Sequence, residues 1–301
     1  MKISNLEQGI GWFQSKHRHN RKILEHLLMI EWAYVPITSR ILSSPTLFQS
    51  QQFSMFATGN AGFYNDIIMI VRDGLILPAF NHNRPIEYRI KHAHTDNNLY
   101  KRNLQGLLTT PTFFHSTMGL PNDVIQVEKM LNLKPTVKLD HHLLTLSQTD
   151  HKKINSKGNN YIIRQASVDD TELILPLREA YELEEVVLNP KSFSRKDCRN
   201  RLKSILEEEL VHMAIFNGRP ISMATTSSRG KNIDQIGGVF TAIGNRKEGL
   251  ATGVMNSLLN EIFRTKKDAC LFVKTKNIPA INLYQKIGFK IRSNYSISYY
   301  T

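Results

Sequence analysis

The chain is short of the features that would place it in several large classes. It has two cysteines, Cys198 and Cys270, far apart in sequence and the second within an apolar run. That speaks against a disulfide framework and for reduced thiols in the cytoplasm. A membrane span needs about twenty mostly apolar residues. The most apolar early segment, Ile23 to Leu42, is interrupted by Glu25, His26, Glu31, Pro36 and Arg40. No span and no secretory signal are therefore expected. There is also no Arg/Lys-rich run interleaved with aromatic residues, which ranks nucleic acid second among the partners that the charge suggests.

That charge is large. The 301 residues carry a formal net charge of +13. It is spread evenly, with 17 basic against 11 acidic residues in 1–155 and 22 against 15 in 156–301, so neither half is a basic tail. A general basicity of this kind attracts polyanions. The length suffices for two domains of ordinary size.

The densest pattern lies late in the chain. A β-rich run, Ile236-Gly237-Gly238-Val239-Phe240-Thr241, is followed by Arg246-Lys247-Glu248-Gly249-Leu250-Ala251. Leu250, Val254, Leu258, Leu259, Ile262 and Phe263 then recur at helical spacing towards Arg264. Strand, tight loop and helix in succession make an anion site, because the first amides of a helix have no partner within it and carry partial positive charge. Gly249 gives an anion access to the main chain, and Arg246 and Lys247 add full charges. Further on, Ala269 to Val273 reads as a buried strand, and Asn277-Ile278-Pro279-Ala280 leads into Tyr284 and Gly288-Phe289.

The first of these motifs, Arg-x-x-Gly-x-Ala, resembles the acyl-CoA loop of the GNAT superfamily of N-acyltransferases. The second, Asn-x-x-Ala-x-x-x-Tyr-x-x-x-Gly-Phe, resembles the other half of that signature at every named position. The resemblance implies an α+β fold of the α/β layer type, with a mixed, mostly antiparallel central sheet flanked by helices. It implies acetyl-CoA as co-substrate, no metal, and an amine acceptor. The diphosphate would lie on the amides of Lys247, Glu248, Gly249, Leu250, Ala251 and Thr252 with Arg246 as charge partner. The pantetheine arm would run beside Val239, Phe240 and Thr241, and Asn277 and Ala280 would meet it at the following strand–helix junction. Tyr284 stands where the family places a general acid.

Other readings of the same residues stay open. Tyr284 could be a core tyrosine, and Asn277 a helix cap before Pro279. Glu182, Glu184 and Glu185 end the first helix of the GNAT-like region, where the family shapes its acceptor pocket. Glu184 and Glu185 are therefore candidates for base catalysis or acceptor binding, against a plain solvated acidic helix end. His82, His92, His94, His115, His141 and His142 gather in the first half, but their spacing fits no zinc signature closely.

The expected order divides at a polar break, Gln148 to Asn160. Residues 1–150 read as a smaller, divergent α/β domain, 151–160 as a linker and 161–301 as the GNAT-like domain. In the first domain we expect a short helix or loose basic arm over 1–20 with Lys16, His17, Arg18 and His19 in a row, a helix over Arg21–Trp32 ended by Pro36, a hairpin turning at Asp73-Gly74, and a polar loop over 81–106 with a helix near Leu99 to Leu107. A strand at Thr112–Met118, a helix after Pro121 and a strand at Leu143–Leu146 follow. Its ending faintly resembles a degenerate GNAT copy, a substrate-shaping or dimer-forming partner. In the second we expect a strand at Tyr161–Gln165, a capping box Ser167-x-x-Asp170, helices to Glu185 and over Arg195–Glu208, strands around Asn217-Gly218 and a last strand at 291–300. The functional alternatives are a non-catalytic acyl-CoA sensor or interaction protein, and an acyltransferase acting on an RNA-associated substrate.

Overall fold

The computed structural model describes residues 13–14, 17–43, 53–60, 63–80, 113–154, 161–265 and 267–300. Residues 1–12 of the expected arm, the loop and helix expected over 81–107, His82, His92, His94 and residues 155–160 lie outside them, while His17, Arg18 and His19 of the basic run are helical. The chain forms two compact units, residues 1–141 with 293–301 and residues 142–292.

The first unit runs β1 (Phe13–Gln14), α1 (His17–Leu28), α2 (Glu31–Ser43), β2 (Phe53–Asn60), β3 (Phe63–Val71), β4 (Leu75–Phe80), β5 (Ser116–Gly119), α3 (Pro121–Leu131) and the start of β6 (Val137–Leu146). Strands β1 to β4 form an antiparallel meander, and β5 joins β4 in parallel. Gly74, at φ 99°, makes the β3–β4 turn at the expected Asp-Gly, its N–H donating to Val71 O at 2.9 Å. The meander and α3 share a core of Phe56, Ile68, Ile70, Ile76, Phe80, Val127 and Leu131.

Pro36 does not end the helical segment. The chain breaks after Leu28, starts α2 and kinks at Tyr34 (φ −130°, ψ 24°), so that Pro36 falls in the first turn after the kink, where a missing N–H is no loss. The strand expected at Thr112–Met118 is the shorter β5, and that at Leu143–Leu146 is the longer β6.

The second unit takes the end of β6, then β7 (Ile162–Gln165), α4 (Thr171–Tyr181), a π-turn (Glu182–Val186), α5 (Arg195–Glu208), β8 (Val211–Phe216), β9 (Arg219–Arg229), β10 (Ile233–Thr241), α6 (Leu250–Arg264), β11 (Asp268–Lys274), α7 (Ile278–Ile287) and the start of β12 (Lys290–Tyr299). Strands β7 to β10 are antiparallel neighbours and β11 joins β10 in parallel. Asn217 (φ 47°) and Gly218 (φ 75°) are both left-handed, as a two-residue hairpin requires. Alternate residues face opposite ways: Met213 and Met223 pack with α4 and α5, while Ala214 and Ala224 pack with α6 and α7. All six periodic residues of α6, from Leu250 to Phe263, are buried in that second cluster.

The two units repeat one order of elements: strand, two helices, antiparallel meander, connection, parallel strand, helix, strand. In the first unit the connection matching α6 falls in 81–112, outside the described residues.

The ends of the units differ from the composition break. Residues 148–154, expected as domain end and linker, are held by the second unit. Lys152 N–H donates to Ile287 O at 2.8 Å, and Asn256 Nδ2 donates to Ile154 O at 2.7 Å. Gly288 caps α7 at φ 116°, and a Cβ there would stand 2.3 Å from Asp150 O. The last strand, grouped by sequence with the second domain, pairs from Ser296 to Tyr299 with β5 of the first unit.

Candidate functional site

The site is built where β10 and β11 part. Their ladder runs only from the Ile233–Asp268 pair to the Ile236–Leu271 pair, although β10 continues to Thr241 and β11 to Lys274. On the other edge of β10 the register with β9 slips between Gly237 and Phe240. Gly238 sits in that bulge at φ 55°, and Thr225 Oγ1 fixes it by donating to Gly237 O at 3.2 Å. Beside Gly237 to Thr241 the edge of β10 that faces β11 therefore has no ladder, the kind of edge to which an extended ligand can add as a strand. Val239 turns its side chain to the α6 cluster and Phe240 to the α4 and α5 cluster, so both can serve a ligand on this edge only through main-chain groups. Thr241 Oγ1 is bonded to Ser222 Oγ at 2.8 Å.

Beyond this edge lies the loop before α6. Lys247 (φ 69°) and Gly249 (φ 81°) are both left-handed, and Gly249 is the N-cap with no side chain to cover the first amides of the helix. Alternating handedness of this kind folds successive N–H groups into a concave anion nest. A Cβ on Gly249 would meet nothing within 4 Å, so the space over the amides of Leu250, Ala251 and Thr252 is open. Leu250 itself is a core residue and serves the site by its amide alone. Lys247 and Glu248 are exposed. The cradle fits a diphosphate.

Arg246 is already engaged. Its Nε donates to Thr241 O at 3.0 Å, its Nη2 reaches both oxygens of Glu184 at 2.8 Å, and the guanidinium lies 5.4 Å from the centre of the Phe240 ring. Glu185 is tied on the other side, since Lys274 Nζ donates to its carboxylate at 2.8 Å and to its main-chain oxygen at 2.9 Å. Glu182 is buried between Arg178, at 3.0 Å, and Arg201. Burial alone would raise its carboxyl, yet the two guanidinium groups hold it below the usual value. The acidic helix end is thus paired, although Glu184 stays exposed: each carboxylate ties the π-turn to a different cation.

Asn277 caps α7, its Oδ1 accepting from Ala280 N–H at 3.2 Å. Tyr284 on α7 is buried, edge-on to Phe289 at 5.9 Å. Burial pushes its phenol well above the ordinary value, with Tyr181 and Glu185 adding to the rise. It stays protonated at any ordinary pH and gives up its proton reluctantly. Among the described residues no cluster of metal-ligating side chains occurs, and no helix is long and apolar enough to cross a membrane.

Residues 212–297, which include the open edge of β10, the nest and Tyr284, match the family model described as FR47-like protein. The carboxy-terminal domain is an FR47-like GNAT domain. Nothing among curated protein sequences matches the chain. Solved structures match it over nearly its whole length. A Drosophila protein aligns with TM-score 0.67 and 12% identity over 97% of this chain and 99% of its own. A tandem GNAT protein from the clavulanic acid biosynthesis pathway aligns with TM-score 0.58 and 10% identity, over 96% and 98%. A GNAT-family acetyltransferase from Colwellia psychrerythraea gives 0.54 and 9%, over 96% and 99%. These matches show the tandem GNAT fold, in keeping with the repeated order of elements.

The FR47-like domain brings residues that sequence reasoning passed over next to one that it named. Arg178 and Tyr181 precede the candidate Glu185 by seven and four positions along α4 and the π-turn, a helical spacing that was there to find. Gly237-Gly238 inside a strand was a bulge signal, and Lys274 gave none.

Proposed function

We propose that the FR47-like domain transfers an acyl group, acetyl in the simplest case, from acyl-CoA directly to a primary amine. The observation that carries this reading is the conjunction of the open edge beside Gly237–Thr241 with the open nest at Gly249, a slot for an arm ending in a diphosphate. The amides of Lys247 to Thr252 would hold the diphosphate, and the main chain of Val239 to Thr241 the pantetheine. Bound there, acyl-CoA supplies an activated carbonyl; the chain's residues orient it and handle protons. A primary amine of pKa near 10.4 is neutral in only about one molecule in a thousand at pH 7.4, so a group that removes its proton is worth up to about three orders of magnitude. Glu185, fixed by Lys274, is our choice for that role. Glu184 we assign to holding Arg246. Tyr284 is our proton donor to the departing thiolate, and Asn277 and Ala280 border the slot at the start of α7.

The test is a thermal melt with and without acetyl-CoA, followed by a thiol-release assay across small amines and peptides. At a hundred times its dissociation constant a ligand stabilises the folded state by about 2.7 kcal/mol. No shift with acetyl-CoA, CoA or longer acyl-CoAs would sink the reading. The buried Tyr284 and the engaged Arg246 favour one rival, a non-catalytic acyl-CoA sensor. It predicts saturable binding with no acceptor-dependent thiol release.

A further inference from the structure

The polar residues that follow Leu146 have no part in the donor site, yet they are fixed to the second unit. Ser147 caps the short turn Gln148–Asp150, and Lys290 Nζ pairs with Asp150 at 3.0 Å. Lys152 and Ile154 are bonded through their main chain to α7 and α6. Between this stretch and the last turns of α6 lies a cavity of about 410 Å³, lined by Gln148, His151, Asn260, Phe263 and Arg264. That volume falls within the range of small-molecule sites, about 300–1,000 Å³. Asn260, Phe263 and Arg264 stand at i, i+3 and i+4 and share one face of the helix.

The hydrogen-bonding capacity around this cavity is unspent. Asn256, nine-tenths buried on α6, donates through Nδ2 to Ile154 O at 2.7 Å and turns its Oδ1 to His151 Nε2 at 3.3 Å. Because Oδ1 accepts, Nε2 carries the proton, and in the neutral ring Nδ1 is left as an acceptor. The imidazole leans on Phe263, with 5.3 Å between ring centres and 51° between planes. Arg264 gives Nη1 to Glu261 at 3.0 Å and keeps its other donors. Among the described residues, nothing bonds the carboxamides of Gln148 and Asn260 or the Nδ1 of His151.

We propose that this cavity is a second ligand site and takes a nucleobase, carried by a nucleoside. A carboxylate or phosphate offers acceptors only. It would suit Arg264 but leave His151 Nδ1 and two carboxamide oxygens without donors, at a helix end whose carbonyls carry partial negative charge. A purely aliphatic ligand would satisfy none of the polar groups. A base edge presents a donor and an acceptor side by side, the pattern that an Asn or Gln carboxamide meets with two bonds. Its flat ring suits the aromatic wall of Phe263, and Glu261 offsets Arg264, so a ligand without net charge fits. The cavity lies at the carboxy-terminal end of α6 and the nest at its amino-terminal end, about 22 Å away along 15 residues. The inference therefore does not depend on the acyl-CoA reading.

The experiment titrates the full-length chain with adenosine, guanosine, cytidine and uridine, by calorimetry and saturation-transfer NMR, with and without excess CoA. Benzoate and inorganic phosphate probe the other ligand classes. One nucleoside is expected to saturate the protein with a Kd below about 1 mM, unchanged by CoA, and the others to bind at least about tenfold more weakly. Gln148→Glu and Asn260→Asp keep the size of each side chain and replace a donor by an acceptor. Each should weaken binding by at least about tenfold while melting within about 2 °C of wild type. No saturation by any nucleoside up to about 10 mM, affinity unchanged in both variants, or displacement by CoA overturns the site. Tighter binding of benzoate or phosphate than of every nucleoside overturns the ligand class.

Discussion

Two glycines make a controlled experiment on the donor site. Gly249, before α6, has φ 81°, Gly218, in the β8–β9 hairpin, has φ 75°, and neither would bring a new Cβ within 4 Å of another atom. Alanine at either position meets the same penalty, a left-handed conformation that costs an L-residue about 1–2 kcal/mol. Both variants should therefore melt lower by the same few degrees, since about 1 kcal/mol moves the midpoint of a domain this size by about 2–4 °C. Their binding should diverge. The Cβ that alanine adds at Gly249 enters open space; on the proposed reading the diphosphate takes that space, and an oxygen resting on the helix amides could not share it. Gly249→Ala should lose at least about two orders of magnitude in CoA affinity, or about 2.7 kcal/mol, whereas Gly218→Ala keeps wild-type affinity. Titration calorimetry alongside thermal melts reads both quantities. Equal affinity in the two variants would refute the placement of the anion over Gly249, and unequal melting losses would refute the claim that only backbone strain separates each variant from wild type.

Other outcomes follow from the ion pairs. Glu184 and Arg246 are both partly exposed, so their pairing is worth about 0.2–1 kcal/mol; Glu184→Gln should free Arg246 and tighten CoA binding by up to about fivefold, and weaker binding by calorimetry would show that the pair shapes the slot instead. Asp170 is held at about 2, below its ordinary 3.8, first by its bonds to Arg164 at 2.6 and 2.8 Å. A depressed acid stabilises the fold fully above its ordinary value and loses that contribution as pH falls from about 4 towards 2. Asp170→Asn should cost about 1–2 kcal/mol at pH 7 in denaturant melts, allowing for the solvent around Arg164, and should flatten the profile in that window. Cys198 is buried, and burial, with Glu182 beside it, pushes its thiol up to about 11. Native protein should resist alkylation at pH 8 while denatured protein reacts at both cysteines, and rapid native labelling at Cys198 would contradict the packing of α5.

Where the sequence was readable, a local rule agreed with the tertiary setting. The six apolar residues of α6 could only be one buried face, Asp73-Gly74 and Asn217-Gly218 could only turn, and Asn277 before Pro279 capped its helix as its side chain allows. The nest was legible because backbone amides at a helix start need no partner to be identified. Charged side chains were not, because their meaning depends on what lies across the fold. Glu184 and Glu185 looked alike in sequence, yet one meets Arg246 and the other Lys274, 62 and 89 positions away. Composition could not show what holds the stretch after Leu146, because it reports solvent exposure, and residues 148–153 are polar while the stretch to Ile154 is fastened to α6 and α7.

The destination of β12 has a consequence for how the protein is made. Its residues Ser296 to Tyr299 complete the ladder beside β5, some 180 positions earlier in the chain, and Tyr300 closes the same region by donating to Thr117 at 2.7 Å. During synthesis the amino-terminal unit waits, with one edge of β5 open, until residues 296–299 have left the ribosome. A nascent chain halted anywhere before that strand emerges carries an unfinished sheet in its amino-terminal unit.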